Sequence, residues 1–514
     1  MFTTVCSAAV YGLQAYLVRV EVDLAGGLPS FQLVGSLGAE VKESRERVCV
    51  AMKNSGFRIP PSHITVNLAP AGRRKDGTAF DLPIAVGLLR NMELLKKEML
   101  QDTLFLGELG LNGEIKKVKG VLPIVQEAAK SGIRRVVVPG ENAMEAAVIP
   151  GITVWGVNCL NDLLAALSHP GEESGKVYRP RIRAEELLQE GNGSGMGDFR
   201  EVAGQENAKR GAEIAAAGFH NLLMIGPPGV GKSMIAGRIP GILPPLTLEE
   251  SLEVTGIFSV AGLLPPGQAL ITRRPFYAPH HTVTQAALIG GGSGIPRPGM
   301  VSLAHRGVLF LDELPEFQKA VLDGMRQPME EHKVQIARNA GMVTYPSDFI
   351  LAAAMNPCPC GYYPDRNKCR CTQPQIERYL GKISGPILDR IDLCVELHPV
   401  DILHLQKTGN QRSSEDMKKR ILGARKRQTE RFAGTDCRFN GDIRSAQVEQ
   451  YCPLGEEERK VMEQLYNTLQ LSARAYHRIL KTARTIADLE GREQIAGEHL
   501  LEAACYRPSE TYWN

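Results

Sequence analysis

Short apolar runs alternate with amphipathic stretches over residues 1–168. The runs FQLVG (31–35), HITVNLAP (63–70), TLFLGEL (103–109) and RRVVVPG (134–140) predict strands. AEVKESRERVCVAMKNSG (39–56) and VLPIVQEAAKSG (121–132) repeat their apolar positions at helical spacing and predict helices. The pattern then stops. Residues 169–197 are polar with Gly and Pro at both ends, which predicts a linker carrying a short helix at AEELLQ (184–189). From Asp198 to about Val400 the apolar runs are short and uninterrupted, as buried parallel strands require. Residues 401–514 are charged and helical in period, as in EEERKVMEQLYNTLQ and AYHRILKTARTIADLEGR. No internal repeat is visible.

Composition changes this picture little. The chain has 514 residues, 43% hydrophobic and 23% charged, which is ordinary for about three globular domains. Its net charge of +3 neither demands nor excludes nucleic acid, so any basic footprint must be local. No apolar run reaches the roughly 18 residues of a membrane helix. The opening MFTTVCSAAVYGLQAYLV is apolar but lacks a basic start, and Arg19 and Glu21 follow it, so it is not read as a signal peptide. Eleven cysteines without such a signal predict reduced thiols and a cytoplasmic location.

The chemistry begins at GPPGVGKS (226–233). NLLMI precedes it as a buried strand, and KSMIAGRI continues as a helix to Pro240. This strand–loop–helix context makes Gly226, Pro227, Pro228, Gly229, Val230 and Gly231 a phosphate cradle of backbone N–H groups. Lys232 is then placed to reach the β- and γ-phosphates of ATP, and Ser233 to ligate Mg²⁺. A second strand, GVLFL, ends in Asp312 and Glu313. Asp312 suits a Mg²⁺ ligand, and Glu313 suits the base that polarises the attacking water. A third strand, DFILAAAMNP, ends at Asn356, whose amide either holds that water or caps the turn before Pro357.

Just beyond, Cys358, Cys360, Cys369 and Cys371 fall within 14 residues. Four thiolates can close a structural zinc site; the alternative is a stiff loop of reduced thiols, since the pairs are C-x-C. VQIARNAGMVTYP (334–346) alternates around Asn-Ala-Gly and predicts a hairpin, in which Lys333 and Arg338 are either phosphate contacts or solvated charges. His280 and His281 are adjacent, share no face, and are read as structural.

These residues resemble the AAA+ ATPases, and more narrowly the magnesium-chelatase-like ComM/YifB family. The resemblance rests on VAGQENAKRGAEIAAAG, PHHTVTQAALIGGG, RGVLFLDELPEF, MNPCPCG and SGPILDRID, and it covers nearly the whole chain. It implies that Arg390 is an arginine finger acting on a neighbouring subunit, and that Arg474 is the sensor-2 arginine, with Arg478 and Arg484 as alternatives. It also implies that the insertion at 256–300 and the 334–346 hairpin point toward a ring axis. The N-terminal block resembles the Lon-protease fold through RRKDGTAFDLPIAVG (73–87) and residues 105–139. By that alignment Ala79 stands at the nucleophile position and Leu122 at its lysine partner, while Thr78 and Lys119 are displaced, so no acyl-enzyme chemistry is expected.

The expected fold is a multidomain α/β chain. A Lon-protease-like α+β domain (1–168) and a linker (169–197) lead to an AAA+ P-loop α/β core with a parallel sheet (198–400) and a helical lid (401–514). The expected function is an ATP-hydrolysing, ring-forming motor, taken as a hexamer. It is expected to act on branched or single-stranded DNA as a helicase or branch-migration factor in recombination or natural transformation. Arg273, Arg274, Lys333, Arg338 and the basic run KKRILGARKRQ (418–428) are the candidate DNA contacts. The alternatives are a chelatase-type motor that remodels a protein partner, or a nucleotide-switched scaffold.

Overall fold

The computed structural model describes residues 1–168, 177–190, 197–292, 294–338, 341–400 and 412–507. Its first 25 residues form an antiparallel hairpin, Phe2–Tyr11 with Gln14–Ala25, in register Val5 to Val20. The apolar opening is therefore a pair of strands. Val18, Val20 and Val22 are fully buried and alternate with Arg19, Glu21 and Asp23 on the wetter face. Gly12 turns the hairpin at φ +65, a conformation open to glycine.

That hairpin centres a seven-stranded sheet. In spatial order the strands are Ser30–Val34, His63–Ala69, Gln14–Ala25, Phe2–Tyr11, Thr103–Phe105, Arg135–Pro139 and Thr153–Val157. The four strands expected from the sequence are present, and so are helices Ser44–Asn54 and Val121–Lys130. Helix Asp81–Asn91 and strand Thr153–Val157 were not anticipated, because both are too uniformly apolar to show a period. Leu122 is fully buried, and Ala79 packs against the same apolar cluster. Where the Lon-like alignment puts a nucleophile and its lysine, the chain has two apolar side chains of one cluster.

Residues 169–176 and 191–196 of the linker expected at 169–197 lie outside the described residues; the short helix within it is present at Ala184–Glu190. The next block holds a five-stranded sheet in the order Phe276–Tyr277, Val308–Leu311, Ile350–Met355, Leu222–Ile225, Leu393–Glu396. Every pairing in it is parallel. Parallel pairing brings all five C-terminal ends to one edge, where ligands of open α/β sheets bind. The register matches Leu222 with both Ala352 and Leu393, so Ile225, Met355 and Glu396 end together.

Helices Ser414–Arg431, Glu456–Thr468, Ala473–Leu489 and Gly497–Cys505 form the C-terminal layer. They share one apolar cluster with helix Glu206–Gly218 and with Leu222, Ala352 and Leu393 of the sheet. The turn before helix Val121–Lys130 also touches the core: Gly120 N donates to Ser259 O at 3.0 Å and Lys117 Nζ to Leu264 O at 2.5 Å. Among the described residues no helix is long and apolar enough to cross a membrane.

Candidate active site

The site is built where the Leu222–Ile225 strand meets helix Lys232–Ile242. The helix runs through Pro240 and ends at Ile242, just beyond the expected end. A side chain at Gly226 would strike the Leu397 carbonyl, 2.6 Å from its Cβ position. Gly229 and Gly231 have φ +80 and +94 and face open space, so the loop's N–H groups can curl around an anion.

Lys232 opens the helix and is buried. Its Nζ donates to Gly226 O at 2.7 Å, Pro227 O at 3.0 Å and Asn356 Oδ1 at 3.0 Å. Burial lowers its pKa, and the Asp312 and Glu313 carboxylates oppose that shift. Ser233 Oγ donates to Asp312 Oδ2 at 2.8 Å, and Asp312 Oδ1 accepts from the Glu313 N–H at 3.0 Å. Glu313 has φ +53, a sparsely populated conformation for a non-glycine residue. Lys232, Ser233, Asp312, Glu313 and Asn356 thus converge on one sheet edge, around a loop suited to a polyphosphate and a divalent cation.

Three contributors were not assigned roles from the sequence. Asn221, just before strand Leu222–Ile225, ties it to both neighbours: its Oδ1 accepts from Leu351 N at 2.8 Å, its Nδ2 donates to Arg390 O at 2.9 Å, and its own carbonyl accepts from Leu393 N at 3.0 Å. Gln205, at φ +56, donates from Nε2 to His398 O at 2.7 Å and to Val230 O at 3.4 Å, which holds the loop from behind. His281, read as structural, has its Nδ1 3.3 Å from Glu313 Oε2. All three fall in stretches quoted above, Asn221 in NLLMI, Gln205 in VAGQ and His281 in PHHTV, but no stretch by itself shows these contacts.

Arg390 and Arg474 lie elsewhere. Together they line a surface cavity with Glu330, Asp389 and Arg478, and none of the residues 226–233 lines it. Arg390 pairs with Glu330 and donates from Nη1 to Pro386 O at 2.7 Å. Arg474, at the start of helix Ala473–Leu489 and 64% exposed, reaches Asp389 Oδ2 at 3.1 Å. Arg478 is held by the Leu388 and Ile391 carbonyls. Arg484 is buried against Asp488 and backbone carbonyls of Arg492 and Glu493, which makes it a core brace rather than a sensor.

The four-cysteine loop leans on the phosphate loop, since a Cβ at Gly361 would sit 2.7 Å from Pro228 Cδ. Three Sγ···Sγ separations are 3.3, 3.8 and 3.6 Å, and all four sulfurs lie within 4.8 Å of one another. A Zn–S bond of about 2.3 Å gives a tetrahedral edge of about 3.8 Å, so the sulfurs fit zinc. The cysteine loop thus packs against the chain's own phosphate loop.

The hairpin is Lys333–Arg338 paired with Gly341–Pro346, and Lys333 and Arg338 are exposed. Tyr345 anchors it to the 256–300 insertion by donating to Pro296 O at 2.7 Å. Arg274 is corrected: it is buried, donating to Pro244 O, Arg306 O and Glu250, and cannot meet DNA. Within 418–428, Arg420 pairs with Glu213 and Arg425 covers the Phe439 ring, so much of that basic run is engaged inside the chain.

Three family models match. Residues 198–405 match magnesium chelatase, subunit ChlI; 20–142 match subunit ChlI of Mg-chelatase; and 411–507 match the subunit ChlI C-terminal region. The chain is 42% identical to the uncharacterized protein YifB of Salmonella typhimurium over 501 residues, covering 97% of this chain and 96% of that protein. It is 42% identical to the competence protein ComM of Haemophilus influenzae over 513 residues, covering 98% and 97%. An uncharacterized protein of Mycobacterium tuberculosis is 39% identical over 501 residues, covering 98% and 97%. With likeness of this extent at both ends and through the phosphate loop, the chain belongs to the ComM/YifB family of magnesium-chelatase-like proteins.

Proposed function

We propose that the chain is an ATP-hydrolysing, ring-forming AAA+ motor that works on DNA. The observation that carries the ATPase reading is the convergence of Lys232, Ser233, Asp312, Glu313 and Asn356 at one sheet edge. In this reading the loop N–H groups and Lys232 bind the phosphates, the lysine exchanging loop carbonyls for phosphate oxygens. Ser233 and Asp312 hold Mg²⁺, which neutralises charge on the β- and γ-phosphates when bound. Glu313 takes the proton of the attacking water, and Asn356 orients that water. The apolar Ala79 and Leu122 positions support reading the N-terminal domain as an assembly or docking module rather than a protease.

Arg390 and Arg474 line one cavity together and share it with no phosphate-loop residue. That separation supports both arginines acting on the nucleotide of a neighbouring subunit, hence a closed ring, taken as hexameric. Each must first leave its present partner, Glu330 or Asp389.

DNA as the substrate rests on the name of the Haemophilus influenzae relative, a competence protein, and on the exposed Lys333 and Arg338 of the hairpin. A helicase or branch-migration role in recombination or natural transformation follows from that reading. The magnesium-chelatase family models favour a second reading, a motor remodelling a protein partner. ATPase rates measured with single-stranded, duplex, and three- and four-way junction DNA at stated salt separate the two. Stimulation by junctions supports the first; indifference to every DNA rejects it.

The four-cysteine loop is read as a structural zinc site, with four protein ligands and no open position for catalysis. A cytoplasmic location suits its reduced thiols.

A further inference from the structure

We propose that His281 is a positioning residue for hydrolysis, holding the Glu313 carboxylate at the rim of the nucleotide site. The proposal rests on the reading of Glu313 as the base. Glu313 ends a flexible side chain that is 57% exposed, so it needs an anchor to stay aimed at one water. His281 Nδ1 stands 3.3 Å from its Oε2. Engaging one oxygen leaves the other to accept the proton as water attacks the γ-phosphorus and the β–γ bridge breaks, with ADP leaving.

The imidazole is itself fixed. It meets the Phe317 ring edge-on, with centroids 6.4 Å apart and planes at 78°, and Phe317 is buried. On its other side the His280 ring lies 4.1 Å away, and His280 Nδ1 is 2.9 Å from Thr282 Oγ1. The register makes this delivery reliable. Strand Phe276–Tyr277 pairs with Val308 and Leu309 of the strand that ends in Asp312 and Glu313, so the turn after Tyr277 reaches the same edge. Glu313's own backbone, at φ +53, sets where its side chain starts.

The test compares His281→Ala, His281→Asn and Glu313→Gln by kcat, KM for ATP and nucleotide Kd, with melting midpoints as a check on folding. An asparagine carries its Nδ2 close to where histidine carries Nδ1. The expected result is a fall in kcat of at least about tenfold for His281→Ala, with KM and Kd nearly unchanged, and recovery of most of the rate in His281→Asn. The proposal is overturned if His281→Ala keeps the native kcat, or if His281→Asn falls as far as alanine. Native hydrolysis by Glu313→Gln overturns the assignment of the base, and this proposal with it. An inactive Glu313→Gln beside a fully active His281→Ala overturns the positioning role alone.

Discussion

Ser233 Oγ and Asp312 Oδ2 meet at 2.8 Å although 79 residues separate them along the chain. Two parallel strands of one sheet make that meeting. The Leu222–Ile225 strand carries the loop, Val308–Leu311 carries the carboxylate, and Ile350–Met355 lies between them. A hydroxyl and a carboxylate already in contact are placed to offer two oxygens to a divalent cation before any cation arrives.

Ser233→Ala and Asp312→Asn should each reduce kcat by about 10²–10³, the cost typical of losing one preorganised electrostatic contact. The measurement is ATPase rate over a magnesium titration. A rate and magnesium dependence equal to wild type in Asp312→Asn rejects the ligand assignment.

The cavity shared by Arg390 and Arg474 makes a mixing experiment decisive. Lys232→Ala chains lack the cradle and Arg390→Ala chains lack the finger, so each alone should be inactive, the latter by about 10³-fold or more. Mixed, an Arg390→Ala chain supplies an intact cradle to the Arg390 of a Lys232→Ala neighbour, and activity should return. No recovery in mixed assemblies of normal size counts against action across a subunit boundary.

Protein purified without added zinc should carry about one zinc per chain by elemental analysis. Cys360→Ser should lose it and melt lower by at least about 4 °C, whereas Cys505→Ser, at an exposed thiol outside the loop, should keep it. Metal-free wild-type protein with an unchanged melting midpoint rejects the site.

Acid stability should depend on Glu253. His305 Nδ1 accepts from Asp348 N at 3.0 Å, which leaves Nε2 to donate toward Glu253 Oε2 at 3.2 Å, and Arg306 Nε adds a bond at 3.1 Å. Burial by itself would raise the carboxyl's pKa; the imidazole and guanidinium outweigh it and hold the value near about 2, against an ordinary 4.5. A folded value below the ordinary one stabilises fully above about pH 4.5, and that stability is lost as pH falls toward 2. The gap in urea midpoint between wild type and Glu253→Gln should therefore shrink across that window. A gap independent of pH rejects the assignment.

The local parts of the site were legible because each is a short stretch with its own signal. Glycines that adopt positive φ, an apolar run before them and a helix after them mark the phosphate loop without reference to the rest of the chain. The hairpin Lys333–Arg338 with Gly341–Pro346 was legible in the same way, from alternation around a turn. The opening hairpin was not, since an apolar stretch with a single central glycine shows its period only once burial separates Val18, Val20 and Val22 from their neighbours.

Charged residues were the hardest to read. Arg274, inside the 256–300 insertion, and Lys333, at the start of the hairpin, are both basic, yet one is buried under backbone carbonyls and the other is exposed. Nothing in either residue's neighbours along the chain separates them.

By itself the amino-acid sequence determined the phosphate loop, the carboxylates at the end of the second strand, the cysteine spacing and the family, because those signals are local or colinear. Only tertiary structure decided that His281 faces Glu313, that Asn221 laces three strands, that the cysteine loop rests on Pro228, and that Arg390 and Arg474 share a cavity apart from the loop. Such contacts depend on which strands pair and in what register. Pairing is set by burying many side chains at once, and no single stretch of sequence records it.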